Sequence, residues 1–224
     1  MKLEGMRGVI IGQSGSGKTA LAKGITYLLS GPRKPYGVVI DPFGYCADFL
    51  SGAGWHHQVV SQDDVSGGVR WYEYLQRVKR VVLEPVRMRS ETQREMINGI
   101  AAALARLENA VLVIDEGRIG LPRYGAPEEA VLLYTQGRHG CIDIITVAQR
   151  AQDISIEATT QANFWAVFTL TYRDREYISQ QLGIRESEIE GLAPYEFLAV
   201  FPRRGEVVRY PSTWLGRKDI PGLF

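Results

Sequence analysis

The chain has 224 residues, 45% hydrophobic and 23% charged, with a formal net charge of +1. That is enough for one sizeable core, and the surface is too close to neutral for nucleic acid to be held by bulk charge, so any such contact must come from local loops. Cys46 and Cys141 stand far apart without CxxC or Cys/His spacing, which argues against a disulfide or metal role and predicts two buried thiols in a reducing compartment.

The start, MKLEGMRGVII, runs directly into a strand at residues 7–12 and leaves no room for a signal peptide. No apolar stretch approaches the roughly 20 residues of a membrane span, so a cytoplasmic protein is expected. A helix is predicted over 18–29, then strands over 37–41, 58–61 and 80–84. The run 92–107 reads as a helix because Met96, Ile100, Ala103, Leu104 and Leu107 share one stripe. A strand over 110–115 follows. Pro127 opens a helix through Tyr134, with Glu128 and Glu129 in its first turn. Strands over 142–148 and 164–171, a helix over 173–182 ended by Gly183, and a closing hairpin (196–201 and 206–210) around Pro202-Arg203-Arg204-Gly205 complete the chain. Several strands are apolar on successive residues, as strands covered on both faces of a parallel sheet are. The pattern predicts a doubly wound α/β fold with a mostly parallel central sheet, as a single domain over 1–224.

Residues 12–19, GQSGSGKT, match G-x-x-x-x-G-K-[ST] between a strand and a helix. Gly15 and Gly17 let the backbone turn its N–H groups inward as an anion nest, to which the following helix adds its positive end. Gly12, Gln13, Ser14, Gly15, Ser16, Gly17, Lys18, Thr19 and Ala20 are therefore expected to bind a nucleoside triphosphate, with Lys18 on the β- and γ-phosphates and Thr19 on Mg²⁺. Residues 110–116, AVLVIDE, end an apolar strand in two carboxylates. Asp115 suits the magnesium shell, and Glu116 suits a general base that polarises the attacking water. An adjacent base points to hydrolysis rather than transfer to a substrate hydroxyl.

Ligands of parallel sheets bind beyond the carboxyl ends of the strands. Gln149 ends one, so its amide is expected near the γ-phosphate and the attacking water. Arg138 precedes the same strand and falls toward the opposite edge, badly placed for its own site and well placed as a finger for a neighbour's. Arg150, Arg173 and Arg175 remain open as alternative fingers.

GQSGSGKT, VVIDPFG (38–44), VLVIDE (111–116), GRHG (137–140) and ITVAQRAQDI (145–154) together resemble the FtsK–HerA superfamily of P-loop DNA-pumping ATPases. The stretch NFWAVFTLTYRDREYI (163–178) adds to the likeness, which covers about residues 6–201. In size the chain looks most like the genome-packaging ATPases of tailless, internal-membrane double-stranded DNA viruses. The resemblance implies a three-layer, RecA-like P-loop NTPase of the additional-strand catalytic-glutamate type. It also implies ATP and Mg²⁺ as cofactors and a homo-oligomeric ring, commonly a hexamer, around double-stranded DNA in its channel. A capsid vertex or portal component is the implied docking partner. By resemblance Lys18 and Thr19 are phosphate and magnesium residues, Asp115 and Glu116 metal and base residues, Gln149 the sensor and Arg138 the trans finger. Two features depart from the pattern: Ala151 stands where many relatives have Pro, and neither the membrane region nor the winged helix of FtsK is visible.

Residues 117–127, GRIGLPRYGAP, read as a mobile basic loop whose Arg118, Arg123 and Tyr124 touch DNA backbone. The pairs Arg87 and Arg89, Arg203 and Arg204, and Arg217 and Lys218 read as solvated surface, His56-His57 as surface or strand edge, and Trp71-Tyr72-Glu73-Tyr74 as packing. A conjugation or phage-extrusion ATPase of the same superfamily, and a nucleotide-dependent assembly switch that moves nothing, are the alternative functions. Neither an Asn-Lys-x-Asp segment nor a Leu-Ser-Gly-Gly-Gln signature occurs.

Overall fold

The computed structural model describes residues 5–215 and 223. In chain order the elements are β1 (Arg7–Ile11), α1 (Lys18–Leu29), β2 (Tyr36–Ile40), α2 (Ala47–Ser51), β3 (His56–Val60), α3 (Gln62–Ser66) and α4 (Trp71–Val78). Then come β4 (Arg80–Pro85), α5 (Ser90–Leu107), β5 (Ala110–Ile114), α6 (Gly117–Gly120), α7 (Glu128–Gln136) and β6 (Asp143–Ala148). The chain closes with α8 (Ile156–Thr160), β7 (Phe164–Val167), α9 (Tyr172–Leu182), α10 (Glu186–Glu190), β8 (Phe197–Phe201) and β9 (Glu206–Tyr210). The nine strands among the described residues join one sheet in the order β3-β4-β2-β5-β6-β1-β7-β8-β9. The seven from β3 to β7 are parallel, and β8 and β9 close the sheet antiparallel.

Strands buried on both faces explain the unbroken apolar runs. In β5, Leu112 and Ile114 pack under α5 and α7 with Met96, Ile100, Leu104 and Leu133, while Val111 and Val113 turn to the other face with Leu21 and Ile25 of α1. On that second face Phe197 of β8 and Tyr210 of β9 join Phe168, just after β7, and Trp214, beyond β9, in an aromatic group, with Phe197 stacked on Tyr210 at 4.9 Å between centroids. The three-layer α/β architecture read from the sequence is thus present.

Several boundaries move. The strand expected over 164–171 stops at Val167, because the Thr171 hydroxyl accepts the Asp174 backbone N–H and starts α9 there. The short helices α2, α3, α4, α6, α8 and α10 were not anticipated, since four to eight residues carry too little periodicity to read. Trp71 opens α4 and is buried against the α5 core, as its packing role required. His56 and His57 lie on the exposed edge strand β3, where His57 Nε2 sits 2.9 Å from Glu84 Oε2. Both cysteines are free, but only Cys46 is buried; Cys141 is half-buried in the turn before β6. Arg87, Arg89, Arg203 and Arg204 are exposed, and Arg217 and Lys218 lie outside the described residues. Among the described residues no helix is long and apolar enough to cross a membrane.

Arg7, the first residue of β1, is fully buried. Its guanidinium donates to the carbonyls of Leu133 (3.0 Å) and Tyr134 (2.9 Å) at the end of α7, and to Ile142 (2.7 Å) and Met6 (3.1 Å). It thereby supplies a donor to the Tyr134 and Ile142 carbonyls, adds a second one to the Leu133 carbonyl, which also accepts the Gly137 N–H, and folds the chain between α7 and β6 into a fixed turn. Burial lowers its pKa to about 10, so it stays cationic at neutral pH. Arg7→Ala should destabilise the fold by about 3 kcal/mol, since it strands the Tyr134 and Ile142 carbonyls in the interior. Urea denaturation measures this, and a change under about 1 kcal/mol would show that water replaces the guanidinium at little cost.

Candidate active site

The carboxyl ends of β1, β6, β5 and β2 form one edge of the sheet, and the residues singled out for nucleotide chemistry gather there. Between β1 and α1 the glycine-rich loop turns back on itself. Gly17 has φ 105, and a Cβ at Gly12 would lie 2.6 Å from Phe168 Cβ, so the loop needs glycine at both points. Lys18 folds over the loop and donates to the Gln13 carbonyl at 2.7 Å. Burial lowers its pKa, opposed by the charges of Glu116 and Asp115. The Ser16 hydroxyl is buried there without a hydrogen-bond partner among the described residues, one more donor facing the loop.

β5 delivers Asp115 to the same place: the Thr19 hydroxyl donates to its Oδ2 at 3.0 Å. Burial raises the Asp115 pKa, partly offset by the hydrogen bonds from Thr19 and the Glu116 backbone. A buried carboxylate in this state gains most from a cation, and the Thr19 and Asp115 oxygens are the hard donors Mg²⁺ takes. Asp41, at the end of β2, joins them: its carboxylate, Asp115 and the Cys46 thiol place one ligand atom each within 4.8 Å of one another. Burial, then the charges of Asp41 and Asp115, push the Cys46 thiol far up, so it remains protonated and is no ligand for magnesium. Asp41 also accepts the N–H groups of Phe43 (3.2 Å) and Cys46 (2.5 Å), which folds the loop after β2 around it.

Glu116 caps α6 with φ 53 and ψ 56, a left-handed conformation that costs a non-glycine residue energy. Its backbone N–H donates to Asp115 Oδ1 at 2.9 Å, and its Oε1 accepts Gln149 Nε2 at 3.3 Å. The base and sensor read separately from the sequence are therefore in contact, one from the end of β5 and one from the end of β6.

The strand β6 lies between β1 and β5. No family model and no curated protein matches the chain. Solved structures do. The genome packaging NTPase B204 from Sulfolobus turreted icosahedral virus 2, in complex with AMPPCP, matches with a TM-score of 0.69 and 17% identity over 94% of this chain and 99% of that one. B204 from Sulfolobus turreted icosahedral virus, a DNA-packaging ATPase, gives 0.69 at 20% identity over 94% and 98%. VirB4 of Thermoanaerobacter pseudethanolicus gives 0.65 at 12% identity over 91% and 88%. The chain shares the fold of these proteins.

Arg138 sits in the turn between α7 and β6, at the opposite edge of the sheet from the phosphate loop. Its Nη2 donates to the Gln161 carbonyl at 2.9 Å. Arg150 and Arg175 are on other duties: Arg150 Nε is 2.8 Å from Asp174 Oδ1, and Arg175 Nη1 is 3.3 Å from Glu190 Oε1. Arg173 is exposed. The stretch 117–127 is more structured than a mobile loop. Gly117, Gly120 and Leu121 are buried in and after α6, Leu121 accepts the Ser155 N–H at 2.9 Å, and Arg123 donates to the carbonyls of Asp153 (backbone N–H, 3.1 Å) and Gln152 (Nη1, 3.3 Å). Two parts stay open: Arg118 on α6 is exposed, and so is the tip at Tyr124 and Gly125, where the Arg123 guanidinium lies 5.9 Å from the Tyr124 ring centre.

Asp41 and Arg7 were missed as site and support residues. The signal for Asp41 was present: VVID (38–41) ends an apolar strand in a carboxylate, as VLVID (111–115) does.

Proposed function

We propose that the chain is an ATP-hydrolysing motor that moves double-stranded DNA, loading a viral genome into a preformed capsid. The observation that carries the reading is the convergence of Thr19, Asp115, Glu116 and Gln149 from three neighbouring strand ends beside the phosphate loop. The near-complete overlap with the packaging NTPases supports the choice of cargo.

The loop N–H groups and Lys18 bind the phosphates, and the Thr19 hydroxyl with the Asp115 carboxylate would hold Mg²⁺, which would supply neutralising charge to the phosphates. Glu116 takes a proton from the attacking water, and the Gln149 amide orients that water against the γ-phosphate. Arg138 serves the neighbouring site in a ring, probing the charge that develops on the transferred phosphoryl group. Arg118, on α6, and Arg123 and Tyr124, at the tip of 117–127, contact DNA backbone. The ring, a hexamer, works in the cytoplasm at a capsid vertex or portal.

Steady-state hydrolysis should rise on adding long double-stranded DNA, and the stimulation should fall steeply with salt, as phosphate-backbone binding requires. Sedimentation with nucleotide should show rings. A hydrolysing monomer indifferent to DNA would replace the motor with an assembly switch. The likeness to VirB4 keeps a conjugation ATPase as the second reading, and it is favoured if DNA stimulates hydrolysis but purified capsids do not recruit the ring.

A further inference from the structure

Glu116 and Gln149 mark where the γ-phosphate of a bound nucleotide lies: beside β5 and β6. The phosphate loop leaves β1, whose other neighbour is β7, followed by β8. A triphosphate with its γ end beside β5 and β6 extends its nucleoside end the other way, over β7 and β8. β8 runs antiparallel, so the loop that leads into it, with Tyr195, opens on the same edge as the phosphate loop.

Tyr195 is built into that position. Its ring Cδ1 lies 3.2 Å from where a Cβ on Gly17 would stand, so the ring rests directly on the phosphate loop. The rest of the side chain is open, with 41% of the residue exposed. Its backbone holds φ 65, a conformation glycine would adopt freely and a bulky residue adopts at a cost. The cost is borne by a rigid frame. Trp214, buried among Phe168 and Phe197, donates its indole N–H to the Tyr195 carbonyl at 2.8 Å. The Glu196 N–H donates to the Ala193 carbonyl at 3.0 Å, and the Glu196 carboxylate accepts the Ala193 N–H at 3.0 Å and is paired with Arg209. An exposed aromatic ring is thus held by strained backbone beside an anion nest, and among the described residues no hydrogen bond uses its hydroxyl.

Resting on the nucleotide reading above, we propose that Tyr195 is the platform on which the nucleobase stacks, and that it selects purine over pyrimidine nucleoside triphosphates by ring overlap. Stacking reads area rather than exocyclic groups, so this contact treats ATP and GTP alike.

The test measures binding by the full chain of three probes with magnesium: ATP, CTP and inorganic tripolyphosphate. The parent should bind ATP more tightly than CTP. Tyr195→Gly, which removes the ring and relieves the backbone, should weaken ATP about tenfold or more, erase the preference over CTP, leave tripolyphosphate within about twofold, and not lower the thermal midpoint. Tyr195→Phe should keep the ATP affinity. ATP affinity surviving the loss of the ring, or ATP and tripolyphosphate weakening in parallel, would overturn the platform while leaving nucleotide binding intact. A parent that binds none of the three probes would overturn both.

Discussion

Glu116→Gln should lower kcat for ATP hydrolysis by about 10²–10⁴-fold, the range a positioned general base supplies, while ATP binding persists. The substitution is close to isosteric, leaves the left-handed backbone at 116 as it is, and keeps a partner for the Gln149 amide, now 3.3 Å from Glu116 Oε1. Asp115, Thr19 and Lys18 are untouched, so the phosphates and the magnesium residues stay in place. What disappears is the proton acceptor beside the water. Single-turnover hydrolysis together with nucleotide affinity separates the two effects. A kcat within about tenfold of the parent would remove Glu116 from the base role and leave the strained residue as a structural cap of α6.

Arg138→Ala should cost about 10³-fold or more in the hydrolysis rate of the assembled protein. The residue cannot serve its own site: β6 separates it from Gln149, and six residues of strand span about 20 Å, far beyond an arginine side chain. The two substitutions therefore damage different halves of one interface. Mixed in equal amounts, Arg138→Ala and Glu116→Gln subunits should regain about one quarter of parental activity, the share of interfaces in a randomly mixed closed ring that have an intact base facing an intact finger. Hydrolysis by the mixture, with co-assembly verified by crosslinking, is the measurement. Co-assembled rings that stay inactive would exclude an arginine at 138 acting across the interface. The Arg138 side chain lies against the Gln161 carbonyl in the single chain, so in the proposed ring, engagement with a neighbour would exchange that neutral acceptor for a phosphate.

Much of the site was legible because its parts are short and contiguous. GQSGSGKT and VLVIDE each carry their own strand-end context, and both arrived at the same sheet edge. Gln149 and Arg138 were separable to opposite edges because they flank one strand, and a strand has two ends. Arg7 was not legible as a clamp: its acceptors lie 126 to 135 residues away, apart from the neighbouring Met6 carbonyl. The stretch 117–127 looked mobile from its glycines. Instead Gly117 and Gly120 are small so that α6 can press on Thr146 and Ile97.

By itself, the amino-acid order determined the element types, the phosphate loop, the acid pair at a strand tip and the α/β class, because each depends on neighbours within a few residues. Only the tertiary structure decided that β6 runs between β1 and β5, that Asp41 joins Asp115, that Glu116 touches Gln149, and that Tyr195 lies over Gly17. Those facts follow from the lateral order of strands, which is set by how apolar faces on distant segments bury one another and which no local pattern encodes.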